Sequence, residues 1–276
     1  MTGKIIFLDV DGTLVNYENQ LPSSAVEAVH AAQAKGNLVF TVTGRSKAEM
    51  YQEILDIGFD GYIGGNGSYI EAGKQVIKEV TLSEADTRRI VDWLQDRGLE
   101  FYLEANSGLY ASRNFEERGQ GTIQEYSDRK GKGRDTTVRQ VFPEMIFDAP
   151  LYREDINKIS FILDDYQDYL DAQAEFPDYK LGTWGGVGEK ALFGDIALGN
   201  IDKAVAVDEL LTYLEIPVAD SYAFGDAKVD IPMLEHCGTG IAMGNGGPEI
   251  KETADYITAS VDDNGLWQAF KHFDLM

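Results

Sequence analysis

The chain has a single cysteine, Cys237, and only three histidines, His30, His236 and His272. One thiol allows no intramolecular disulfide, and Glu235-His236-Cys237-Gly238 has no second Cys with which to build a zinc site. Cys237 is expected to be a packed side chain, with neither zinc nor thiol chemistry indicated. No apolar run is long enough to span a bilayer, and the N-terminal one is too short for a signal peptide, so no membrane partner is expected and a reducing cytoplasm is the expected compartment. Basic residues are scarce too: 24 Lys+Arg stand against 47 Asp+Glu, a formal net charge of -23. Such a field repels nucleic acid and anionic membrane surfaces, which excludes the usual nucleic-acid binder. It equally repels a phosphorylated ligand, which needs local Lys, a backbone nest or a metal ion to be held. What is present is ample core material, 43% hydrophobic and 11% aromatic over 276 residues, enough for one large domain or two smaller ones.

The rest of the chain is arranged around Ile5-Ile6-Phe7-Leu8-Asp9-Val10-Asp11-Gly12-Thr13-Leu14. Its four leading apolar residues predict a short buried strand, and in open α/β sheets ligands bind beyond such strand ends. Asp9 and Asp11, two apart in an extended segment, can converge on one atom, while Gly12 lets the backbone turn close beside a ligand. That pairing suits a nucleophile and a proton donor; two acids ending a strand in a turn is the plainer alternative.

Strand and helix then alternate. Ser24-x-x-Glu27 reads as a capping box opening a helix over residues 25–35, and Leu38-Val39-Phe40-Thr41 as the second strand. Thr43-Gly44-Arg45 follows at its end, before a second box, Ser46-x-x-Glu49, and a helix running towards Ile57. Tyr62-Ile63 is a third strand, Gly64-Gly65-Asn66-Gly67 a sharp turn, and residues 68–80 a hairpin about Ala72-Gly73-Lys74. The pattern predicts a doubly wound parallel sheet that sets Thr43 beside Asp9.

From about Thr81 aromatics become dense. Residues 83–97 read as a helix, 100–104, 109–112 and 156–163 as strands and 165–174 as a further helix, which marks a second domain over 81–189 inserted between 1–80 and 190–276. Residues 119–134 carry four glycines and four basic side chains, and read as a solvated loop or one facing a substrate. Gly182 to Gly188 reads as a connection. Then 195–198 is strand-like, and 202–214 a helix with Lys203 in its first turn, where ammonium and helix dipole would together grip a phosphate; a solvated surface Lys is the plainer reading. Ser221-Tyr222-Ala223-Phe224 ends at Gly225-Asp226, with Asp230 four residues on. Gly240 to Met243 runs into Gly244-Asn245-Gly246-Gly247 before Pro248 opens a helix, a layout able to present N–H groups to an anion.

Taken in order, Asp9-x-Asp11-Gly12-Thr13, Thr43-Gly44-Arg45, Lys203 and Gly225-Asp226-x-x-x-Asp230 resemble the haloacid dehalogenase-like hydrolase superfamily. The long insert, Asn66-Gly67 and Met243-Gly244-Asn245 resemble its Cof-like phosphatase branch. The resemblance implies a Rossmann-like core with an inserted α+β cap, and Mg²⁺-dependent hydrolysis of small phosphomonoesters such as sugar phosphates through an aspartyl-phosphate. It makes Asp9 the nucleophile, Asp11 the general acid/base, and Thr43, Gly44, Lys203 and Asn245 phosphate-binding. Asp9, the Asp11 carbonyl and Asp226 become the Mg²⁺ ligands, with Asp230 behind them. Val229 departs from the family's usual Asn. A phosphosugar mutase and a non-catalytic phosphate-ligand sensor share these residues. Independently, all-oxygen ligands without His or Cys select a hard cation such as Mg²⁺.

Overall fold

The structure, a computed structural model, describes residues 3–186 and 188–276. It forms two compact units, one of Met1–Gly44, Met50–Glu79 and Ile201–Met276, the other of Arg45–Glu49 and Val80–Asn200. In chain order the first strands are β1 (Ile5–Leu8), β2 (Leu38–Val42), β3 (Gly61–Gly64), β4 (Tyr69–Ala72) and β5 (Gln75–Glu79). The second unit follows with β6 (Phe101–Ala105), β7 (Gly108–Ala111), β8 (Met145–Ile146), β9 (Lys158–Ile162), β10 (Tyr179–Trp184) and β11 (Phe193–Leu198). The chain then returns to the first unit with β12 (Ser221–Gly225), β13 (Thr239–Ala242) and β14 (Tyr256–Ile257).

The first unit is an eight-stranded sheet in the order β14-β13-β12-β1-β2-β3-β4-β5. Its pairings are parallel from β14 through β3, and β4 and β5 close one edge as an antiparallel hairpin. Period-two alternation in β1 explains why the sheet is covered on both faces. Ile6 and Leu8 join the core beneath the helices Ser23–Ala34 and Gly265–His272, while Ile5 and Phe7 join the core beneath Lys203–Tyr213 and Ile231–His236. Connections run away from β1 on one side to β2 and on the other to β12. The strand order therefore reverses between β1 and β12, and the crevice at such a reversal is where α/β sheets hold ligands.

The second unit is a six-stranded sheet, β10-β11-β9-β6-β7-β8, antiparallel except for the β7 and β8 pair. The helices Glu84–Asp96 and Tyr166–Glu175 cover one face through Ile90, Val91, Leu94 and Ala172. Phe115, Ile123 and Val138 belong to a separate cluster with Tyr102 and Phe193, which alternate with the residues of the first face.

Several local expectations change. The helix after β1 begins at Ser23 behind Pro22, with no side-chain cap; the Ser24 hydroxyl donates instead to Asn264 Oδ1 at 2.6 Å. The Ser46 and Glu49 pair does form, with Ser46 N–H donating to Glu49 Oε2 at 2.9 Å. It opens only the single turn Lys47–Glu49, and a separate short helix, Gln52–Leu55, follows. Residues 119–134 are a loop only from Lys130 on: Gln120–Arg129 is helical because Ile123 and Ser127 turn one side into the core, and Arg129 donates to Gly185 O and Lys190 O. Gly182 lies inside β10, where a Cβ would stand 2.9 Å from Asp195 Oδ1. The strand expected at 195–198 pairs with β9 and β10, so it belongs to the second sheet, and the second unit ends at Asn200 rather than before Lys190.

Candidate active site

Asp9 follows β1 directly, and its N–H donates to Phe224 O at 3.0 Å, so the β1 and β12 pairing extends into the first acid. The chain then folds over itself, with Leu14 and Val15 N–H both donating to Val10 O at 3.0 Å. Gly12 takes φ +90 in this turn, a conformation L side chains rarely adopt. Asp226 follows β12, next to β1, and is buried with Asp9. Lys203 opens its helix behind Asp202, whose carboxylate accepts from Ala204 N–H at 2.7 Å. That helix start packs on the turn at Gly65–Gly67, where a Cβ on Gly67 would meet Asp202 O at 2.6 Å. The turn after β3 thus admits the backbone that delivers Lys203.

The Lys203 ammonium is only 2% exposed and bridges two carboxylates, donating to Asp9 Oδ1 and to Asp230 Oδ1, each at 2.6 Å. Asp230 Oδ2 accepts from the Asp226 and Ala227 N–H groups at 3.2 and 3.0 Å, which ties the turn after β12 to the same lysine. Val229 is 44% exposed, and these contacts are made without it. One carboxylate oxygen from each of Asp9, Asp226 and Asp230 lies within 4.8 Å of the others, an arrangement able to hold a metal ion. Carboxylates about 4 Å apart repel by roughly 4 kcal/mol per pair at a near-surface effective dielectric of about 20, and one lysine among three acids leaves a net deficit of positive charge.

The titration shifts register that deficit. Burial, then the Asp230 charge, holds the Asp9 carboxyl well above the usual carboxylate range against the opposing pull of Lys203. Burial likewise pushes Asp226 up to about 6. For Lys203 burial acts downward, but Asp230 and Asp9 more than offset it and hold the ammonium above its ordinary value. Among the described residues, Asp226 Oδ1 is buried with no hydrogen-bond partner. A bare buried carboxylate oxygen inside a set of hard donors fits a divalent cation.

Thr43 is buried at the end of β2, its N–H donating to Ile63 O and its carbonyl accepting from Asn66 N–H, each at 2.9 Å. Gly44 faces the Asn66 amide, 3.1 Å from where its Cβ would stand. Asn245 Nδ2 donates to Gly12 O at 2.8 Å and reaches Asp226 Oδ2 at 3.4 Å, while its Oδ1 accepts from Val261 N–H at 3.0 Å. The residue sequence reasoning missed is Tyr17, whose hydroxyl donates to Asp226 Oδ2. No motif in the sequence marks it.

An acid pair at the end of a central parallel strand, a buried lysine and a third acid beyond the neighbouring strand make this a protein of the Rossmann-like α/β class with an acidic site at the strand-order reversal. The family model described as haloacid dehalogenase-like hydrolase matches residues 6–270, and the chain belongs to that family. It is 28% identical over 277 residues to a protein named "Putative phosphatase YkrA" from Bacillus subtilis (strain 168), covering 100% of both chains. Its fold is similar to a hypothetical protein from Geobacillus kaustophilus HTA426, with TM-score 0.85 and 26% identity over 99% of this chain and 100% of that one. It is also similar to BT4131, described as an HAD subclass IIB sugar phosphatase, with TM-score 0.76, 26% identity and the same coverage.

Proposed function

We propose that the protein is a Mg²⁺-dependent phosphatase of small phosphomonoesters, sugar phosphates among them, acting through an aspartyl-phosphate on Asp9. The observation that supports this reading most is the Lys203 bridge. A buried ammonium 2.6 Å from Asp9 Oδ1 aims that carboxyl and pulls it towards the ionised form a nucleophile needs, against burial and the Asp230 charge. Asp9, Asp226 and the Asp11 carbonyl would hold the cation, with Asp230 behind them. When bound, a divalent cation offsets charge on the transferring phosphoryl group.

An Asp9 oxygen attacks phosphorus in line, the ester P–O bond breaks, and Asp11 gives its proton to the departing alcohol oxygen. Water then attacks the acyl phosphate as Asp11 takes a proton back, which releases phosphate and restores Asp9. Thr43, Gly44 and Lys203 would take the non-transferring oxygens. Asn245 joins them only by exchanging its present contact with Gly12 O. The unit Val80–Asn200 would serve as the cap that sets substrate choice. BT4131, by its description a sugar phosphatase, supports the substrate class, and YkrA, by its name a putative phosphatase, supports the activity.

The test is phosphate release from a panel of phosphorylated metabolites with Mg²⁺. Wild type should release phosphate, chelator should abolish the release, and Asp9→Asn should lower turnover by about 10⁴-fold or more, as expected on removing a nucleophile. Phosphate retained in an isomerised product would indicate a mutase, and binding without turnover a sensor.

A further inference from the structure

We infer that Tyr17 is a positioning residue for the cation ligand Asp226: its phenol holds Oδ2 and so turns Oδ1 towards the ion. The inference rests on the reading of Asp226 as a metal ligand. The two oxygens of this carboxylate are unequal. Oδ2 takes the Tyr17 hydroxyl and the Asn245 amide, whereas Oδ1 is buried with no partner among the described residues. A carboxylate pinned by one oxygen presents the other in a fixed direction, which is how hydrogen bonds behind metal ligands raise affinity.

The loop that carries Tyr17 is built to hold it. Asn16, buried beside it, accepts through Oδ1 from Glu18 N–H at 3.1 Å and Gln20 N–H at 2.8 Å, closing an Asx turn around Tyr17. Asn16 Nδ2 donates to Asp262 Oδ1 at 2.8 Å, which anchors the turn to a distant part of the same unit. Asn19, at φ 60, returns the chain with its N–H on Asn16 O at 2.9 Å. Tyr17 is nevertheless 49% exposed, so burial of its ring does not account for its placement. What is fixed is its hydroxyl.

The experiment is calorimetric titration of metal-free full-length wild type, Tyr17→Phe and Asp226→Asn with MgCl₂ alone, alongside the metal-free melting temperature of each. Tyr17→Phe should raise the Mg²⁺ Kd by about 10-fold or more, the lower end for losing a hydrogen bond behind a ligand, with the metal-free melting temperature within error of wild type. The wild-type minus Tyr17→Phe ultraviolet difference spectrum should show a tyrosine perturbation on adding Mg²⁺, a signature that a loop-packing role would not produce. An unchanged Kd in Tyr17→Phe overturns the inference, and a tighter one shows that the phenol competes with the ion. Asp226→Asn binding Mg²⁺ as wild type does overturns the ligand reading itself, and the inference with it.

Discussion

Gly12 faces the carboxylate of Asp226 so closely that a Cβ on Gly12 would stand 2.3 Å from Oδ2 and 2.8 Å from Oδ1. The turn after β1 and the acid after β12 therefore share one space, and only a residue without a side chain leaves room for the carboxylate.

Gly12→Ala should accordingly fail twice. The φ of +90 costs an L residue roughly 1–2 kcal/mol, and the methyl must displace Asp226 from the cluster. Thermal denaturation should show a loss of that order without ligand. Titration with MgCl₂ should show a weakened or absent site, and native Mg²⁺ affinity in this variant would contradict the shared-space account.

Asp11→Asn separates the two jobs assigned to Asp11 by means of the leaving group. It keeps the backbone carbonyl and the shape but gives no proton. Transfer from an alkyl phosphate should slow by about 10² more than transfer from a nitrophenyl phosphate, whose phenolate leaves without help. Rapid mixing should show a burst of nitrophenolate followed by slow turnover, because the acyl phosphate then lacks its base. Equal losses with both substrates would rule out Asp11 as the donor.

The Mg²⁺ effect on stability should depend on pH in a definite direction. Asp226 titrates at about 6 when folded against the usual 3.8, so the fold binds its proton more tightly than the open chain does. Ionising it costs the metal-free fold stability, a cost that grows as pH rises from 3.8 and levels off above about 6. A cation bound to Asp226 would take the place of that proton. The rise in melting temperature on adding Mg²⁺ should therefore be small below the folded pKa and grow as pH climbs through it. A rise independent of pH would argue against Asp226 as a ligand.

Much of the first unit could be read locally. Asp9 and Asp226 each end an apolar run, and a strand running into an acid is visible without knowing its partner. Lys203 was legible as a cation at a helix start, but not as a buried bridge, because Asp9 and Asp230 come from other strand ends. Tyr17 was invisible for a similar reason: its turn is anchored through Asn16 to Asp262, 246 residues away. The misread segments failed on composition. Gly119, Gly121, Gly131 and Gly133 flank or enter a real helix, and its buried Ile123 is one apolar residue among many polar ones. Gly182 looked like a break because the contact that requires it, with Asp195, is made across two strands. The run at β11 reads the same whichever sheet it joins, and pairing with β9 decides that.

The pairing of β1 with β12 also sets when the protein becomes able to act. Tyr17 and Asp226 lie 209 residues apart, and at a synthesis rate of about 5–20 residues per second the ribosome delivers the second roughly 10–40 s after the first. During that interval β1 has its β2 neighbour but an open edge where β12 belongs, and the acids at its end have neither their lysine nor their third carboxylate. A nascent chain carries no phosphatase until its last third has emerged. Until then the edge of β1 is the surface on which a mispaired strand or a chaperone would act.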